Sequence, residues 1–476
     1  MIQATEATVS SARETRKRAA PSADEPETER TAALGERSVR LARYYQGKIE
    51  TVPKVPIRGM ADFAIWYTPG IAAVCKEIQA TPDHAFELTG RWNTIAIVTD
   101  GSRVLGLGNI GPDAAMPVME GKALLFKSLG GVDAIPIPIQ VSEPEEIVET
   151  VMRIAPAFGG VNLEDIASPK CFYVLEELQR RLPIPVWHDD QLGTAASTVA
   201  GLLNALELTH RSIGEIRTVL LGAGAANVVT ARLLLALGHD PAQLSVLDHH
   251  GILQPEREDM DELMLNNRWK YRLALETRGG GRTGGIQEAM EGADVLLAAS
   301  TPVPGTIKDD WIRTMAKDSI VFALANPAPE IWPAHAKAAG AAVVATGRSD
   351  FPNQVNNSLI FPAVFRGVLD ARARSIPDEI VLSAAKELAR RAHDRGLTAD
   401  HILPTMDEKE VFPHLAAACA VRCVELGIAR RKHTREEFYE RARELMARPT
   451  KFAGALSGSG LLSPMPDESP PKRSPP

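Results

Sequence analysis

The amino-acid sequence predicts an α/β fold with two domains, the second of which is a doubly wound parallel sheet of the Rossmann type. The first observation is an alternation of short apolar runs with helical patterns, as in TIAIVTD (94–100) and DAIPIPIQ (133–140). The second is a glycine-containing turn, LGAGAAN (221–227), between an apolar run and a helical pattern. Continuous apolar strands separated by helices are typical of parallel sheets that are covered on both faces.

The individual strands follow from these runs in chain order. In the first domain they are TIAIVTD, DAIPIPIQ and IPVWHDD (184–190), and a helix over PVMEGKALLFKSLGG lies between the first two. In the second domain RTVLLGAG, ANVVTARLLLALG and QLSVLD predict a strand, a helix and a strand, followed by the strands ADVLLAAS, IVFALANP and AAVVATG. The segment 253–285, which contains GGGRTGG, is expected to be an insertion or a long loop.

Composition sets the domain limits. Residues 1–37 are expected to be a disordered extension because they are poor in large apolar residues, and residues 451–476 a disordered tail because they are rich in Pro and Ser. The first domain is placed at 38–193, and the second, with terminal helices, at 194–450.

The charge and cysteine content exclude several classes of protein. The 476 residues include 53 Lys and Arg against 60 Asp and Glu, a net charge of −7, which disfavours nucleic-acid binding. The four cysteines are too scattered for a disulfide framework, which indicates a reducing compartment. Since no apolar run reaches transmembrane length and the N-terminus lacks a secretory signal, we expect a cytoplasmic protein without membrane or nucleic-acid partners.

The turn after the strand at 218–221 predicts a dinucleotide site, because glycine lets the backbone approach a pyrophosphate at a helix N-terminus. Asp248, at the end of the next predicted strand, is expected to bind the adenosine ribose and to favour NAD over NADP, although Arg257 is near enough in sequence to reach the same place. Asn227 stands at the third fingerprint position, where it could instead cap the helix. The alternative is a structural turn that binds nothing. The candidate cofactor residues of the turn are Gly222, Ala223, Gly224, Ala225 and Ala226.

Two acidic motifs, NLEDI (162–166) and HDDQ (188–191), follow predicted strands in the first domain. Carboxylates at neighbouring strand ends can converge, and three of them with open positions suit a hard divalent cation such as Mg²⁺ or Mn²⁺. The alternative is that each acid caps a helix or lies in solvent.

Other polar residues are candidates for chemistry, each with a structural alternative. Lys122 could act as a base if its pKa is depressed, and is otherwise a solvated lysine at a helix start. Tyr67 could donate a proton or pack at a turn, and Arg103 could bind a carboxylate or lie in a hairpin turn. Asn326, Asn356 and Asn357 each precede or follow apolar runs, where Asn is also a common helix cap.

Taken together, the segments resemble the malic enzymes in their short prokaryotic form, over about residues 38 to 430. The matching motifs, in the family's order, are YTPGIA (67–72), VLGLGNIGP (104–112), PVMEGKALLFK (117–127), FGGVNLEDI (158–166), HDDQLGTA (188–195), LGAGAAN (221–227), ALANPAPEI (323–331) and FPNQVNNSLIFP (351–362).

The resemblance implies oxidative decarboxylation of L-malate to pyruvate and CO₂ with reduction of NAD or NADP and a requirement for Mg²⁺ or Mn²⁺. It also implies an active site between the two domains and a homodimer or larger homo-oligomer. The implied roles are metal ligation by Glu164, Asp165 and Asp190; general base Lys122, oriented by Asp189; general acid Tyr67; and contacts to malate or the nicotinamide from Arg103, Asn326, Asn356 and Asn357. Two alternatives stay open: a malolactic enzyme, which releases lactate with NAD kept bound, and a non-catalytic dinucleotide-binding regulatory protein.

Overall fold

A computed structural model describes residues 25–104, 106–141 and 143–466. The strands are β1 (Thr94–Thr99), β2 (Asp133–Pro138), β3 (Gly160–Leu163), β4 (Val186–His188), β5 (Thr218–Leu221), β6 (Leu244–Asp248), β7 (Gly251–Ile252), β8 (Val295–Ala298), β9 (Ile320–Ala323) and β10 (Val343–Thr346). The helices are α1 (Glu25–Tyr45), α2 (Phe63–Trp66), α3 (Ile71–Ala80), α4 (Ala85–Leu88), α5 (Gly111–Gly130), α6 (Pro144–Ile154), α7 (Lys170–Arg181), α8 (Thr194–Leu208), α9 (Ala225–Ala236), α10 (Met260–Asn266), α11 (Arg268–Thr277), α12 (Ile286–Met290), α13 (Asp309–Arg313), α14 (Pro333–Ala338), α15 (Phe361–Asp370), α16 (Asp378–His393), α17 (Val411–Glu425) and α18 (Arg435–Gly458).

The first sheet has four parallel strands in the order β2-β1-β3-β4. Its two central strands are buried, as the apolar runs predict, whereas β2 contains Pro136 and Pro138 and lies at the edge. Proline has no amide hydrogen to donate, so an edge is the place in a sheet where it is tolerated. The strand predicted at 133–140 is therefore confirmed despite its prolines.

The second sheet has six strands in the order β10-β9-β8-β5-β6-β7, and only the short β7 runs antiparallel. The chain passes from β5 to β6 on one side and later to β8 on the other. This reversal opens a crevice at the carboxyl ends of β5 and β8, where open α/β sheets bind their ligands. The predicted Rossmann-type fold class is confirmed.

The described residues divide into two compact units, residues 49–463 and a smaller unit of residues 25–48 with 464–466. Both sheets belong to the larger unit. In the smaller unit the described residues form α1 and the segment 464–466, and Arg37 Nη2 lies 4.0 Å from Met465 Sδ.

Three expectations from composition are wrong for the described residues. Helix α1 begins at Glu25, within the extension expected to be disordered, and α18 continues to Gly458, within the expected tail. Helices α1 and α18 are both rich in Ala, Glu and Arg, residues of high helix propensity, and α18 also buries Phe438, Ala442 and Met446. The segment 253–285 holds α10 and α11 rather than a loop, and it was missed because these helices bury few side chains. Residues 1–24 and 467–476 lie outside the described residues.

No helix in the described ranges combines the length and the apolar character needed to cross a bilayer. Three of the four cysteines, Cys171, Cys419 and Cys423, are buried free thiols, and Cys75 is exposed. Burial raises the pKa of the Cys423 thiol to about 12, consistent with a small apolar side chain on α17.

Candidate active site

The two acidic motifs follow the neighbouring strands β3 and β4, whose last residues, Leu163 and His188, pair with each other. Glu164 and Asp165 come directly after β3, and Asp189 and Asp190 directly after β4. Asp165 takes the left-handed conformation with φ 55°, which Asp tolerates better than most residues, and its backbone N–H donates to Asp190 Oδ2 at 2.9 Å. The register of two parallel strands thus places four carboxylates at one edge of the first sheet.

Three of these acids form a cluster that fits a metal ion. Glu164, Asp165 and Asp190 each offer an oxygen, and the three oxygens lie within 4.8 Å of one another. All the donors are carboxylate oxygens, the ligands that Mg²⁺ and Mn²⁺ prefer. The nearest histidine is buried His188, whose Nδ1 lies 3.7 Å from Asp190 Oδ2, and burial lowers its pKa, so the neutral ring adds no charge. The chemistry of the donors therefore suits a hard cation better than zinc.

Lys122 extends from α5 into this group of acids. Its Nζ donates to Asp189 Oδ2 at 2.5 Å and lies 2.9 Å from Glu164 Oε1, and the ring of Phe361 lies 4.4 Å away. Burial disfavours the ammonium, but the attraction of Asp189 and Glu164 outweighs this and holds the pKa of Lys122 above its usual value. Burial also raises the pKa of the Glu164 carboxyl, assisted by the charge of Asp190.

Residues of the second domain approach this edge through the loop after β9. A Cβ at Gly106 would lie 2.8 Å from Pro327 Cδ and 3.3 Å from the Asn326 oxygen, so the loop around Gly106 packs directly on Asn326–Pro327. Arg103, in the same loop, is exposed, and its backbone N–H donates to Asp165 O at 2.9 Å. Asn326 is also exposed, and its Nδ2 packs against Gly347. A Cβ added at Gly347 would lie only 2.6 Å from this nitrogen. Arg103 therefore lies beside the turn that carries Asp165, and Asn326 packs on the loop that follows Arg103.

Of the asparagine pair, Asn357 lies beside the turn that carries Asp189. A Cβ at Gly193, in the turn Asp189–Gly193, would meet Asp189 Oδ1 at 2.0 Å and Asn357 Cβ at 3.0 Å, so Asn357 packs against the turn that carries Asp189. Asn356 instead uses its side-chain oxygen to accept the Ser358 N–H at 2.9 Å, as a helix cap does. The structure thus brings Asn357 to the site and gives Asn356 a capping role.

Tyr67 is not brought to the cluster within the chain. It follows α2, its side chain is 70% exposed, and no hydrogen bond of its hydroxyl to a site residue is found in the described part of the chain. It belongs to a segment, residues 49–71, that we call the apolar arm. The large apolar side chains exposed on the arm are Ile49, Val52, Val55, Ile57, Met60, Phe63, Ile65, Trp66, Tyr67 and Ile71.

The glycine turn of the second sheet has the form required for a dinucleotide. Gly222 has φ 96°, and a Cβ on it would meet the Ala299 oxygen at 2.5 Å, whereas a Cβ on Gly224 would meet nothing within 4 Å. Helix α9 begins at Ala225 with Gly224 as its N-cap, so the open space lies over unpaired N–H groups at a helix N-terminus. Ala223, Ala225 and Ala226 complete the turn.

Asn227 does not cap α9, so that alternative is wrong. Its side chain is buried, and Nδ2 donates to the Leu221 oxygen at 3.0 Å and to the Gly222 oxygen at 2.9 Å. Where the fingerprint has a third glycine for close packing, this chain instead ties the helix to the end of β5 by hydrogen bonds.

Asp248 lies at the end of β6, as predicted, but its carboxylate is paired. Arg257 Nη1 donates to Oδ1 at 2.9 Å and Lys270 Nζ to Oδ2 at 2.8 Å. Burial opposes the charged form, but these hydrogen bonds, from Lys270 and Arg257, keep the pKa of Asp248 below its ordinary value. The preference for NAD rested on an unpaired carboxylate that would repel a 2′-phosphate, and these two cations remove that basis.

Four neighbours of the site were not singled out from the sequence. Asn162 Nδ2 donates to Glu164 Oε2 at 2.8 Å and Trp187 Nε1 to Asp189 Oδ1 at 3.0 Å, each from two residues earlier on the strand. Strand periodicity places such residues on one face, so this signal was available. Phe361 and the buried Glu330, which accepts the Ser300 N–H at 2.7 Å, come from distant parts of the chain and had no comparable signal.

A Rossmann-type sheet beside a second α/β domain with a buried lysine among carboxylates defines the class of two-domain, dinucleotide-dependent oxidoreductases. Comparison with known proteins identifies the family within this class. Residues 46–179 match the model of the malic enzyme N-terminal domain, and residues 192–425 match that of the malic enzyme NAD binding domain.

Individual relatives indicate the same family as the two domain models. The chain is 44% identical over 414 residues to the bifunctional malic/malolactic enzyme of Bacillus subtilis, covering 87% of this chain and 98% of that protein. It is 40% identical to the NADP-dependent malic enzyme of Halomonas elongata, covering 82% of this chain and 94% of that protein. The crystal structure of Entamoeba histolytica malic enzyme superposes with a TM-score of 0.90 at 40% identity, covering 94% of this chain and 93% of that one. The chain belongs to the malic enzyme family, and it is an NAD(P)-dependent enzyme of that family.

Proposed function

We propose that this protein catalyses the oxidative decarboxylation of L-malate to pyruvate and CO₂, with transfer of the C2 hydride to NAD or NADP. The observation that carries the proposal is the position of Lys122, buried between Asp189 and a carboxylate of the three-acid cluster. A solvated lysine at a helix start would have neither partner. The family of the chain supports the same reaction.

The protein's own residues have distinct roles in this reaction. Lys122 Nζ, in its neutral amine form, takes the proton of the C2 hydroxyl as the hydride leaves C2 for the nicotinamide, and the C3–C4 bond then breaks to release CO₂. Asp189 is a positioning residue, because both of its oxygens are engaged, one with Lys122 and one with Trp187. Asn326, Asn357 and Arg103 border the space where the substrate and the nicotinamide would meet.

The charge balance explains why a divalent ion is needed. Glu164, Asp165, Asp189 and Asp190 oppose one ammonium, so a malate dianion would enter a site that is already negative. Glu164, Asp165 and Asp190 would hold Mg²⁺ or Mn²⁺, which when bound supplies Lewis-acid polarisation of the substrate's C2 oxygen. Because Glu164 also contacts Lys122, a cation held by the cluster would offset the negative charge that favours the ammonium, and Lys122 would then lose its proton more readily.

We assign the general acid that protonates C3 to Tyr67 and propose that a second copy of the chain supplies it. Tyr67 is exposed, Lys122 is buried, and the apolar arm that carries Tyr67 exposes ten large apolar side chains in 23 residues. Such a surface is typical of protein interfaces. A homodimer that buries the arm would complete the site with the tyrosine that the chain does not bring to its own lysine.

The test is a steady-state assay at 340 nm with malate, Mn²⁺ and either NAD or NADP, with pyruvate identified as the product. Lys122→Ala should lower kcat by about a hundredfold or more, the scale of a lost general base. Lys127→Ala is the matched control, because Lys127 lies on the same helix and pairs with Asp133 at the surface. Equal activity of both variants would contradict the role of Lys122.

Malolactic activity is the second candidate, because a relative named a bifunctional malic/malolactic enzyme is 44% identical over nearly its whole length. The same mixture distinguishes the two reactions. Oxidative decarboxylation accumulates NADH or NADPH with pyruvate in equal amounts, whereas a malolactic reaction releases lactate without net reduction of free NAD.

A further inference from the structure

Glu330 is a buried acid that the proposed reaction leaves without a role. It lies between β9 and α14, is fully buried, and has no cationic partner among the described residues. Burial raises the pKa of the Glu330 carboxyl, and hydrogen bonds from backbone N–H groups oppose this rise because they favour the charged form. Since burying a carboxylate is costly unless its lost water is replaced, the compensation here comes from hydrogen-bond donors.

These donors belong to two loops, which follow β8 and β9. Glu330 Oε1 accepts the N–H of Ser300 at 2.7 Å and its hydroxyl at 2.9 Å, two residues after the end of β8. Oε2 accepts the N–H of Ala325 at 3.2 Å, two residues after the end of β9. The backbone oxygen of Glu330 also accepts the N–H groups of Gly305 at 3.0 Å and Ile307 at 3.2 Å. Glu330 therefore holds the loop after β8 at both ends and joins it to the loop after β9.

Both loops lie at the carboxyl ends of the strands, where the dinucleotide is expected. A Cβ on Gly222 would lie 3.2 Å from Ser300 Cα, so the loop after β8 packs on the glycine turn. In the loop after β9, the amide that Glu330 holds directly precedes Asn326. The strand order places β5 and β6 in one mononucleotide-binding half and β8, β9 and β10 in the other, which takes the nicotinamide end when adenosine lies at β6.

The residue type at position 330 matches the task of joining two loops. A carboxylate accepts hydrogen bonds through both of its oxygens, so it serves Ser300 and Ala325 at the same time. The amide of a glutamine has a single acceptor oxygen, and its NH₂ group would face an N–H donor of one of the loops. Loss of the second oxygen therefore frees one loop from the other.

We propose that Glu330 is a positioning residue for the nicotinamide half of the dinucleotide, because it fixes Ser300 and Asn326 relative to each other beside the crevice. This inference rests on the proposed function, in which a dinucleotide bound at the β5–α9 turn takes the hydride. Glu330 is fully buried, so it acts through the two loops rather than by touching the ligand. The adenosine half, which lies at β5 and β6, does not depend on it.

The test compares two ligands by calorimetry on the full chain, without malate. NADH contains both halves of the dinucleotide, whereas ADP carries the adenosine and the pyrophosphate but no nicotinamide riboside. Glu330→Gln should weaken NADH by about tenfold or more and change ADP by less than about twofold. Ser300→Ala removes the hydroxyl donor and keeps the backbone one, so it should weaken NADH by about threefold with ADP unchanged. This milder variant carries the test if Glu330→Gln does not fold.

Glu387→Gln is the matched control, because Glu387 is also a buried glutamate, but its described partners are Arg390, Arg391 and Arg435. It should lower Tm and leave the ratio of the two dissociation constants unchanged. Equal weakening of NADH and ADP by the Glu330 or Ser300 variant would overturn the proposal and show a general structural role, and unchanged NADH binding in a folded variant would overturn it as well. Failure of the proposed function would appear separately, as the expected binding pattern in a protein that does not oxidise malate.

Discussion

Supply of Tyr67 by a second copy predicts that two inactive variants complement each other. The variants are Lys122→Ala and Tyr67→Phe, co-expressed with different tags, so that only heterodimers carry both tags. If each site takes Lys122 from one chain and Tyr67 from the other, one of the two sites in every heterodimer has both residues intact. The doubly tagged dimer should therefore have about half of the wild-type activity, while each variant alone has almost none.

The control uses two residues that the structure places in the same chain's site. Lys122 Nζ lies 2.9 Å from Glu164 Oε1, so a heterodimer of Lys122→Ala with Glu164→Gln has no intact site in either chain. It should stay inactive in the assay of malate-dependent NADH or NADPH formation at 340 nm. Two results would refute the reasoning: a doubly tagged Lys122→Ala/Tyr67→Phe dimer no more active than its parents, or a wild type that is active as a monomer by light scattering.

Three further outcomes are expected. Malate should bind chelator-treated protein far more weakly than Mn²⁺-loaded protein in calorimetry, because the acids repel a dianion, and undiminished affinity would contradict the charge argument. Asp370→Ala should lower the free energy of unfolding by about 3–5 kcal/mol in a denaturant titration, because buried Arg366, which donates to Asp370 at 3.0 and 2.9 Å, would lose its carboxylate partner. Glu440→Ala breaks an exposed ion pair and should lower it by less than about 1 kcal/mol. Gly222→Ala should lower Tm, because the added Cβ would lie 2.5 Å from a backbone carbonyl oxygen. Gly224→Ala should leave Tm unchanged and weaken NADH binding, because its Cβ would enter the open space over the helix N-terminus. A Gly224→Ala variant with a lowered Tm and unchanged NADH binding would place the pyrophosphate elsewhere.

Most parallel strands of the two sheets could be predicted because they are buried on both faces and so appear as unbroken apolar runs, whereas the edge strand β2 is only partly buried. The helices of the segment 253–285 could not. In α10 only Leu263 is buried, and in α11 the buried residues are Leu273, Ala274 and Thr277, so neither helix has a pronounced apolar periodicity. Helix α1 was missed for a similar reason, because many of its 21 residues are charged and most of its large apolar residues, Leu34, Val39, Tyr44 and Tyr45, are exposed.

The carboxylate site could be anticipated in part, because acids that directly follow neighbouring parallel strands must lie at the same edge of the sheet. Its supporting contacts depend on distant segments. Phe361 reaches Lys122 from α15, and the packing of Asn357 on Gly193 joins parts of the chain more than 150 residues apart. The pairing of Asp248 with Lys270 also needed the structure, since it depends on the unpredicted helix α11.

Glu164 shows why the proposed base Lys122 and the three-acid cluster cannot be varied independently. Its Oε1 lies 2.9 Å from Lys122 Nζ, and its Oε2 accepts a hydrogen bond from Asn162 at 2.8 Å. Each carboxylate oxygen has a second lone pair, so Glu164 can ligate a cation without releasing either neighbour. A change that moves Glu164 would therefore shift Lys122 and the proposed cation-binding position together. Asn162, held in β3, hydrogen-bonds the oxygen of Glu164 that does not face Lys122, so a strand residue with no proposed part in the chemistry positions the carboxylate shared by Lys122 and the three-acid cluster.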